Sequence, residues 1–398
     1  MVDNPTIAGR RELLLGLGAE PATADEIIAR SQGDGWWPGG AIELDRLPVP
    51  DDPMIEAWSD YAERAAGDGV WPVLRDTLVQ LRFPIRAGIS DEPGYRAVTL
   101  KGDPPPAHGG LELTDPDGLT LDLHRSVAGT IPVLGVEQRS DFVSLVRALT
   151  ARNEPVPVPD AMGACLINGL NNWDRIRRRK RRWEASGPGD RDAATWTDEF
   201  RRLIARPKLY KDRIIVLSTG PYSGVSAEHA GVSDDQWRQR SFGIRLEHEC
   251  THMLTLQVFG ALRHDVLEEL VADWVGMVGS GFGYRIDLAR RFLGLEDFPV
   301  YRSGGRLEVY RGEPPVSDAA FEVLQRLAVG AITTLNELAD DGSLALDDAA
   351  TLARLTVALL TLPLEAMVGD GAADRVRRRF DSLEEALAAG TAPASSTS

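Results

Sequence analysis

Cysteine is nearly absent from this chain of 398 residues. Only Cys165 and Cys250 occur, too few to staple a protein of this length, so the fold must rest on a buried core and a reducing compartment is expected. Long apolar runs are missing as well. The longest uncharged one, Leu355 to Leu364, is bracketed by Arg354 and Glu365 and contains Pro363. It falls short of the ~20 residues that a membrane helix needs and reads as a buried core helix. Positive charge is in the minority, with 44 Lys and Arg against 60 Asp and Glu and a net charge of −16. That balance disfavours unassisted binding to nucleic acid or to an anionic membrane. The N-terminus, MVDNPTIAGRRELLLGLG, carries an early acid and a brief apolar stretch, which suits an amphipathic helix better than a signal peptide. A cytoplasmic protein is the resulting expectation.

What remains is an ordinary globular composition, 43% apolar, distributed unevenly along the chain. Residues 1–103 alternate helical patterns with turn signals: RRELLLGL, TADEIIARS and DDPMIEAWSDYAERA, where Asp52 and Pro53 read as a cap and first helical residue. The segment KGDPPPAHGG, Lys101 to Gly110, resists both helix and ladder and marks the expected boundary between a helical N-terminal region and a second region spanning 104–390. Short strand-like runs follow at Gly110–Leu113, Leu119–His124 and Ile131–Val136, and a helix from about Ser140 to Arg152, a buried-looking stretch at Met162–Leu170 and the run RIIVLS at Arg213–Ser218 come after them. From Trp237 onward the pattern is helical, and residues 391–398 are small and polar, as in a frayed tail. The expected class is α+β, with a small central sheet and a mainly helical C-terminal part.

The segment RLEHECTHMLTLQVFG holds His248, Glu249 and His252 in an HExxH pattern, free of proline and apolar at helical spacing. On a helix His248 and His252 lie ~40° apart on one face, so two imidazoles can converge on one ion. Glu249 sits beside that face, where a general base must stand to take a proton from water without occupying the metal. Cys250 points away and reads as core packing. Downstream, RHDVLEELVADWVG supplies Glu269 and Asp273 as an ExxxD pair on one face of a second helix.

Over Arg245–Gly276 the chain resembles the gluzincins, the thermolysin-like HExxH metallopeptidases. The resemblance implies that Glu269 is the third metal ligand and that Asp273 hydrogen-bonds the first histidine. The metal would be zinc, and an oxyanion donor would come from His229, Tyr284, Tyr301 or Tyr310, among which the sequence does not choose. A first helix ending near Val258 and a second starting near Asp265 would form an antiparallel hairpin with the three ligands at matching depth. Gly276 would let the two helices approach closely. The loop between them is a few residues shorter than in thermolysin-like enzymes. A metzincin would need Gly at 255 and His at 258, where Thr255 and Val258 stand. His264 reads as a loop residue, and Glu268 as the partner of an Asp265 N-cap in a capping box.

Weaker signals surround this motif. RIRRRKRRW places seven basic residues between Arg175 and Arg182, either a solvated helix or a contact for an acidic partner. Arg245, one turn before His248, is placed to meet a substrate carboxylate or to form a salt bridge. Asn168, Asn171 and Asn172 line a pocket or a tight core turn. The reading as a whole is a zinc metallohydrolase acting on a peptide or small amide. Two alternatives stay open: a non-peptidase zinc enzyme of biosynthesis, and a catalytically silent zinc-binding interaction protein.

Overall fold

The structure, a computed structural model, describes residues 6–32, 47, 49–187, 195–263 and 265–388. His264 and the expected tail lie outside the described residues. Contacts divide the chain into two compact units, one of residues 50–220 and one built from residues 1–49 together with 221–398. This division falls elsewhere than the boundary expected near residue 103, and the proline-rich segment Lys101–Gly110 runs inside the 50–220 unit.

The discontinuous unit begins with α1 (Ile7–Gly16) and α2 (Pro21–Gln32). The 50–220 unit then contributes α3 (Ile55–Asp68), α4 (Val70–Thr77) and α5 (Pro93–Lys101), followed by β1 (Thr120–Ser126), β2 (Gly129–Val136) and α6 (Arg139–Thr150). It is completed by β3 (Ala164–Asn171), α7 (Trp173–Ala185), α8 (Trp196–Ile204) and β4 (Lys211–Ser218). The strands form one mixed sheet in the order β1-β2-β4-β3, with β2 and β4 parallel and the outer pairs antiparallel. Trp58, Tyr61, Leu74, Leu78 and Leu81 from the helical segment share a core with Leu134, Ile214 and Val216 of the sheet. That shared core is why the N-terminal helices do not separate at the prolines.

Two local expectations need correction. Gly110–Leu113 is not a strand: Leu111 is buried and donates its N–H to the Leu81 carbonyl, which ties the segment to the helical side. Asp52 and Pro53 precede α3 without starting it. The helix begins at Ile55, and the Asp52 carboxylate pairs with Arg213 and Lys208 instead.

The discontinuous unit resumes with α9 (Ala227–Ala230), α10 (Asp234–Phe259), α11 (Val266–Gly279), α12 (Ile286–Leu293), α13 (Asp318–Ala339), α14 (Ala349–Leu360) and α15 (Ala372–Ala388). Ser233 and Gln236 form a reciprocal capping box at the start of α10, and Gly260 in the left-handed conformation ends it. Along α10 the buried positions Trp237, Ser241, Ile244, His248, Thr251, Thr255 and Phe259 recur at helical spacing. Asp265 caps α11, and α11 is buried on every face, from Leu267 and Leu270 through Trp274 to Met277. A helix apolar all round can be stable only inside a core, and α11 lies among α10, α12, α13 and α14.

The α10–α11 pair touches in a defined register: position 252 meets 268, 248 meets 273 and 244 meets 276. At the last of these a Cβ on Gly276 would stand 2.7 Å from the Ile244 carbonyl oxygen, so only glycine fits. A Cβ on Gly279 would meet its nearest neighbour at an ordinary 3.5 Å. Gly276→Ala is therefore expected to destabilise the protein by about 1–3 kcal/mol through backbone displacement. Gly279→Ala should range from no change to a gain of about 1 kcal/mol from helix propensity. Urea unfolding of both variants checks the contrast, and equal effects would contradict the register.

Candidate metal centre

His248 and His252 are held by α10 and Glu269 by α11, and one ligand atom from each lies within 4.8 Å of the others. The separations are 3.1 Å between the two Nε2 atoms, 3.4 Å from His252 Nε2 to Glu269 Oε1, and 3.6 Å from His248 Nε2 to Glu269 Oε2. Ligands ~2.0–2.2 Å from a common ion at tetrahedral angles stand ~3.3–3.6 Å apart. Both histidine–carboxylate separations fall in that range, and the 3.1 Å between the two Nε2 atoms is slightly shorter.

The outer nitrogens explain why these rings face inward. His248 Nδ1 lies 3.0 Å from Asp273 Oδ1, and His252 Nδ1 lies 3.0 Å from Glu268 Oε1. A carboxylate accepts only, so each Nδ1 carries the proton; the tautomer follows from the network. Both Nε2 atoms then turn lone pairs toward one point beside the Glu269 carboxylate. That arrangement is repulsive unless a cation or a proton sits among them.

The carboxylates of α11 have partners of their own. Asp273 accepts from the Tyr222 hydroxyl at 2.6 Å and forms an ion pair with Arg306, which also donates to Ser223 Oγ. Burial pushes the Asp273 carboxyl up, yet Arg306, His248 and Tyr222 together hold it below the usual carboxylate range. Burial likewise opposes ionisation of Glu269 but is outweighed by His252, His248 and Arg306, so its pKa is also lowered. For His252 burial favours the neutral ring, but Glu268, Glu269 and Glu249 prevail and raise its pKa well above the ordinary value. The field that would hold a proton on His252 is the field that would attract a metal cation.

Glu268 departs from the capping-box expectation. The Asp265 side chain does accept from the Glu268 N–H, but the Glu268 carboxylate is buried and spans His252 Nδ1 and the Arg263 N–H, the latter at 2.6 Å. Spacing suggested a local cap; the short 260–265 connection turns this side chain back onto α10 instead. It does for His252 what Asp273 does for His248. Tyr222 and Arg306 were not anticipated from the sequence, since they come from 26 residues before His248 and 33 after Asp273 and belong to no spaced motif.

The remaining candidates separate cleanly. Glu249 is buried, and its carboxylate makes no hydrogen bond to a described side chain. Tyr310 and Glu269 line the same cavity, and burial together with the nearby Glu269 carboxylate raises the tyrosine's pKa. The Tyr284 hydroxyl is buried without a hydrogen-bond partner among the described residues, with its pKa raised by burial and by Asp273. His229 is exposed on α9 against Ser226, and the Tyr301 hydroxyl donates to the Gly305 carbonyl. Of the four oxyanion candidates, Tyr310 is the one that shares a cavity wall with Glu269. Arg245 is buried, with its guanidinium on the Pro221 carbonyl and over the Tyr222 ring, so it braces Tyr222. Cys250 is buried.

The basic helix α7 is largely neutralised within its own unit. Arg175 pairs with Asp212, Arg178 with Asp60 and Asp174, Arg179 with Glu199, Lys180 with Glu184 and Arg182 with Glu56. Asn172 caps α7 and bonds Asp212 and Tyr61, a core role, while Asn168 and Asn171 belong to β3.

The profile of a family of unknown function, DUF7005, matches residues 14–370. The chain belongs to that family. No curated protein and no solved structure matches it. The match to DUF7005 spans α10, α11 and the Arg306–Arg311 turn, so every residue of the cluster lies inside the family region.

The Asp273 network carries a prediction that involves no metal. Arg306→Ala leaves a buried carboxylate without its counter-ion and should cost about 1–3 kcal/mol, while Tyr222→Phe should cost about 0.5–1.5 kcal/mol. Because the folded pKa of Asp273 is depressed, this stabilisation is full above the unfolded value of about 3.9 and is lost as pH falls through the folded value. The gap between wild type and Arg306→Ala, read from denaturant midpoints, should accordingly be widest near neutrality and narrow in acid. A gap independent of pH would refute the ion pair's role.

Proposed function

We propose that this chain is a zinc-dependent hydrolase of gluzincin type, with His248, His252 and Glu269 as metal ligands and Glu249 as general base. The observation that carries the reading is the pair of inward Nε2 atoms, each backed by a buried carboxylate on its outer nitrogen. The α10–α11 register supports the antiparallel hairpin that the sequence motif implies. Two imidazoles and one carboxylate suit zinc and leave room for water, whereas a purely structural zinc site is closed by four protein ligands.

Zinc held there would supply Lewis acidity, polarising a carbonyl and making water more acidic. The protein's own part follows from its geometry. Asp273 and Glu268 fix the orientation and tautomer of the two rings. Glu249, free of hydrogen bonds to described side chains, takes the proton of a water that adds to the substrate carbonyl carbon and delivers it to the leaving nitrogen as the C–N bond breaks. Tyr310, beside Glu269 with its phenol kept protonated, donates to the oxyanion. A peptide or small amide is the substrate class these roles fit.

Glu249→Gln is expected to retain metal while lowering turnover at least ~10²-fold, the usual scale for a lost general base. Metal-loaded wild type should cleave members of a mixed library of short peptides and N-acyl amino acids, and chelation should abolish that cleavage. Activity unchanged in Glu249→Gln would remove Glu249 from its role. Glu269→Ala should abolish zinc binding, and Asp273→Ala and Glu268→Ala should each weaken it about 10- to 100-fold. Zinc titration calorimetry reads all three. Full retention of affinity in Glu268→Ala would return that residue to a capping role.

A further inference from the structure

Beside Glu269 and Tyr310 lies a cavity of about 280 Å³, near the lower end of the ~300–1,000 Å³ typical of small-molecule pockets. Its wall is apolar, with Ile27 from α2, Leu267 from α11, Leu324 and Leu327 from α13, and Leu364. The charges around it nearly all cancel. Arg10 pairs with Glu365, and Arg263 pairs with Asp265 while donating to the carbonyls of Leu360 and Leu362. Arg30 is the exception: it lines the cavity and has no ion pair or hydrogen bond among the described residues.

The Arg30 head group is nevertheless seated. Gly312, with φ +78, lies so close beneath it that a Cβ there would stand 2.1 Å from the guanidinium carbon. Glu26, one turn earlier on α2, does not neutralise Arg30. Its carboxylate is taken by the backbone N–H and hydroxyl of Ser317, the N-cap of α13, at 2.7 and 2.6 Å. That clasp ties α2 to the cavity wall and fixes where Arg30 stands.

We propose that this cavity binds the part of the substrate next to the reacting bond, and that this part is an apolar body bearing a carboxylate, which Arg30 receives. The C-terminal residue of a short peptide and the amino-acid half of an N-acyl amino acid have this chemistry. A guanidinium suits it, because its planar donors match a carboxylate and it remains charged at every physiological pH. The apolar wall supplies burial energy and Arg30 the discrimination. This inference rests on the hydrolase reading for its place in catalysis, but binding in the cavity does not require a metal.

The test uses the full chain freed of metal, with 3-phenylpropanoate as probe and 3-phenylpropanamide as its neutral counterpart, both titrated by ligand-observed NMR. The acid is expected to bind at least ~10-fold more tightly than the amide, the scale of one hydrogen-bonded charge pair. Arg30→Ala, at an exposed position that the fold does not need, should erase that preference while leaving the amide's affinity unchanged. Arg30→Lys should restore part of it. Leu324→Trp, with its circular dichroism matching wild type, should weaken both ligands by filling the cavity. Equal affinity for acid and amide, no saturable binding of the acid, or a preference that survives Arg30→Ala would each overturn the proposal. Because both ligands are titrated against metal-free protein, failure of zinc binding would sink the hydrolase reading without touching this one.

Discussion

The structure of the discontinuous unit turns on a conflict inside α11. The helix is buried on every face, yet it carries Glu268, Glu269 and Asp273 within six positions. Isolated carboxylates in a core would neutralise themselves by shifting pKa or would unfold the helix. Here each one has a compensating partner. Arg306 and Tyr222 answer Asp273, the Arg263 N–H and His252 answer Glu268, and the two imidazoles answer Glu269. Much of the surrounding architecture serves this purpose. The short connection from α10 brings the Arg263 N–H to Glu268, and the turn at Arg306 reaches in from beyond α12. Gly276 brings α10 near enough for its histidines to touch the acids.

The same constraint sets the electrostatic character of the cluster. Two buried carboxylates, Glu268 and Asp273, and the half-buried Glu269 face one permanent cation, Arg306, and the remaining positive charge has to come from imidazolium or from a bound ion. The raised pKa of His252 and the depressed pKa values of Glu269 and Asp273 express one field from both sides. A site that pulls a proton onto histidine against the penalty of burial is electrostatically prepared for a divalent cation, and binding such a cation would release that proton.

How much of this could be read from the sequence depended on whether the information was local. The HExxH spacing, the helix it lies on, the Asp265 cap and the close approach at Gly276 all follow from periodicity within a few turns, and the structure has each of them. Two of the expected strands were legible from flanking turn residues and apolar content, at Leu119–His124 and Ile131–Val136, whereas the strand character of Arg213–Ser218 was not read from its letters. Gly110–Leu113 is not a strand, because its apolar letters serve a loop that docks on Leu81. Asp52 reads locally as a cap but is claimed by Arg213, 161 residues away. Glu268 shows the same limit at closer range, since its register matches a capping box equally well. Tyr222, Arg306 and the seating of Arg30 on Gly312 are tertiary facts with no spacing to reveal them. The pairing of the α7 arginines, too, is visible only once Glu56, Asp60, Glu199 and Asp212 are brought beside them.

The division of labour between the two glutamates at 268 and 269 bears on how such a site can be built. Adjacent residues on a helix point ~100° apart, so neighbouring carboxylates cannot both face the space between the two imidazoles, and one must turn along α10. In this chain the one that turns meets His252 one helical turn beyond where Asp273 meets His248, so each imidazole is oriented from α11 by its own acid. A single acid would fix one ring and leave the other to rotate about its side-chain torsions, blurring the distance between the two inner nitrogens. With both rings held, the 3.1 Å separation is imposed by the packing of α10 on α11. The cost of that preorganisation is the burial of two further carboxylates. Arg306, Tyr222 and the Arg263 amide stand where they offset it.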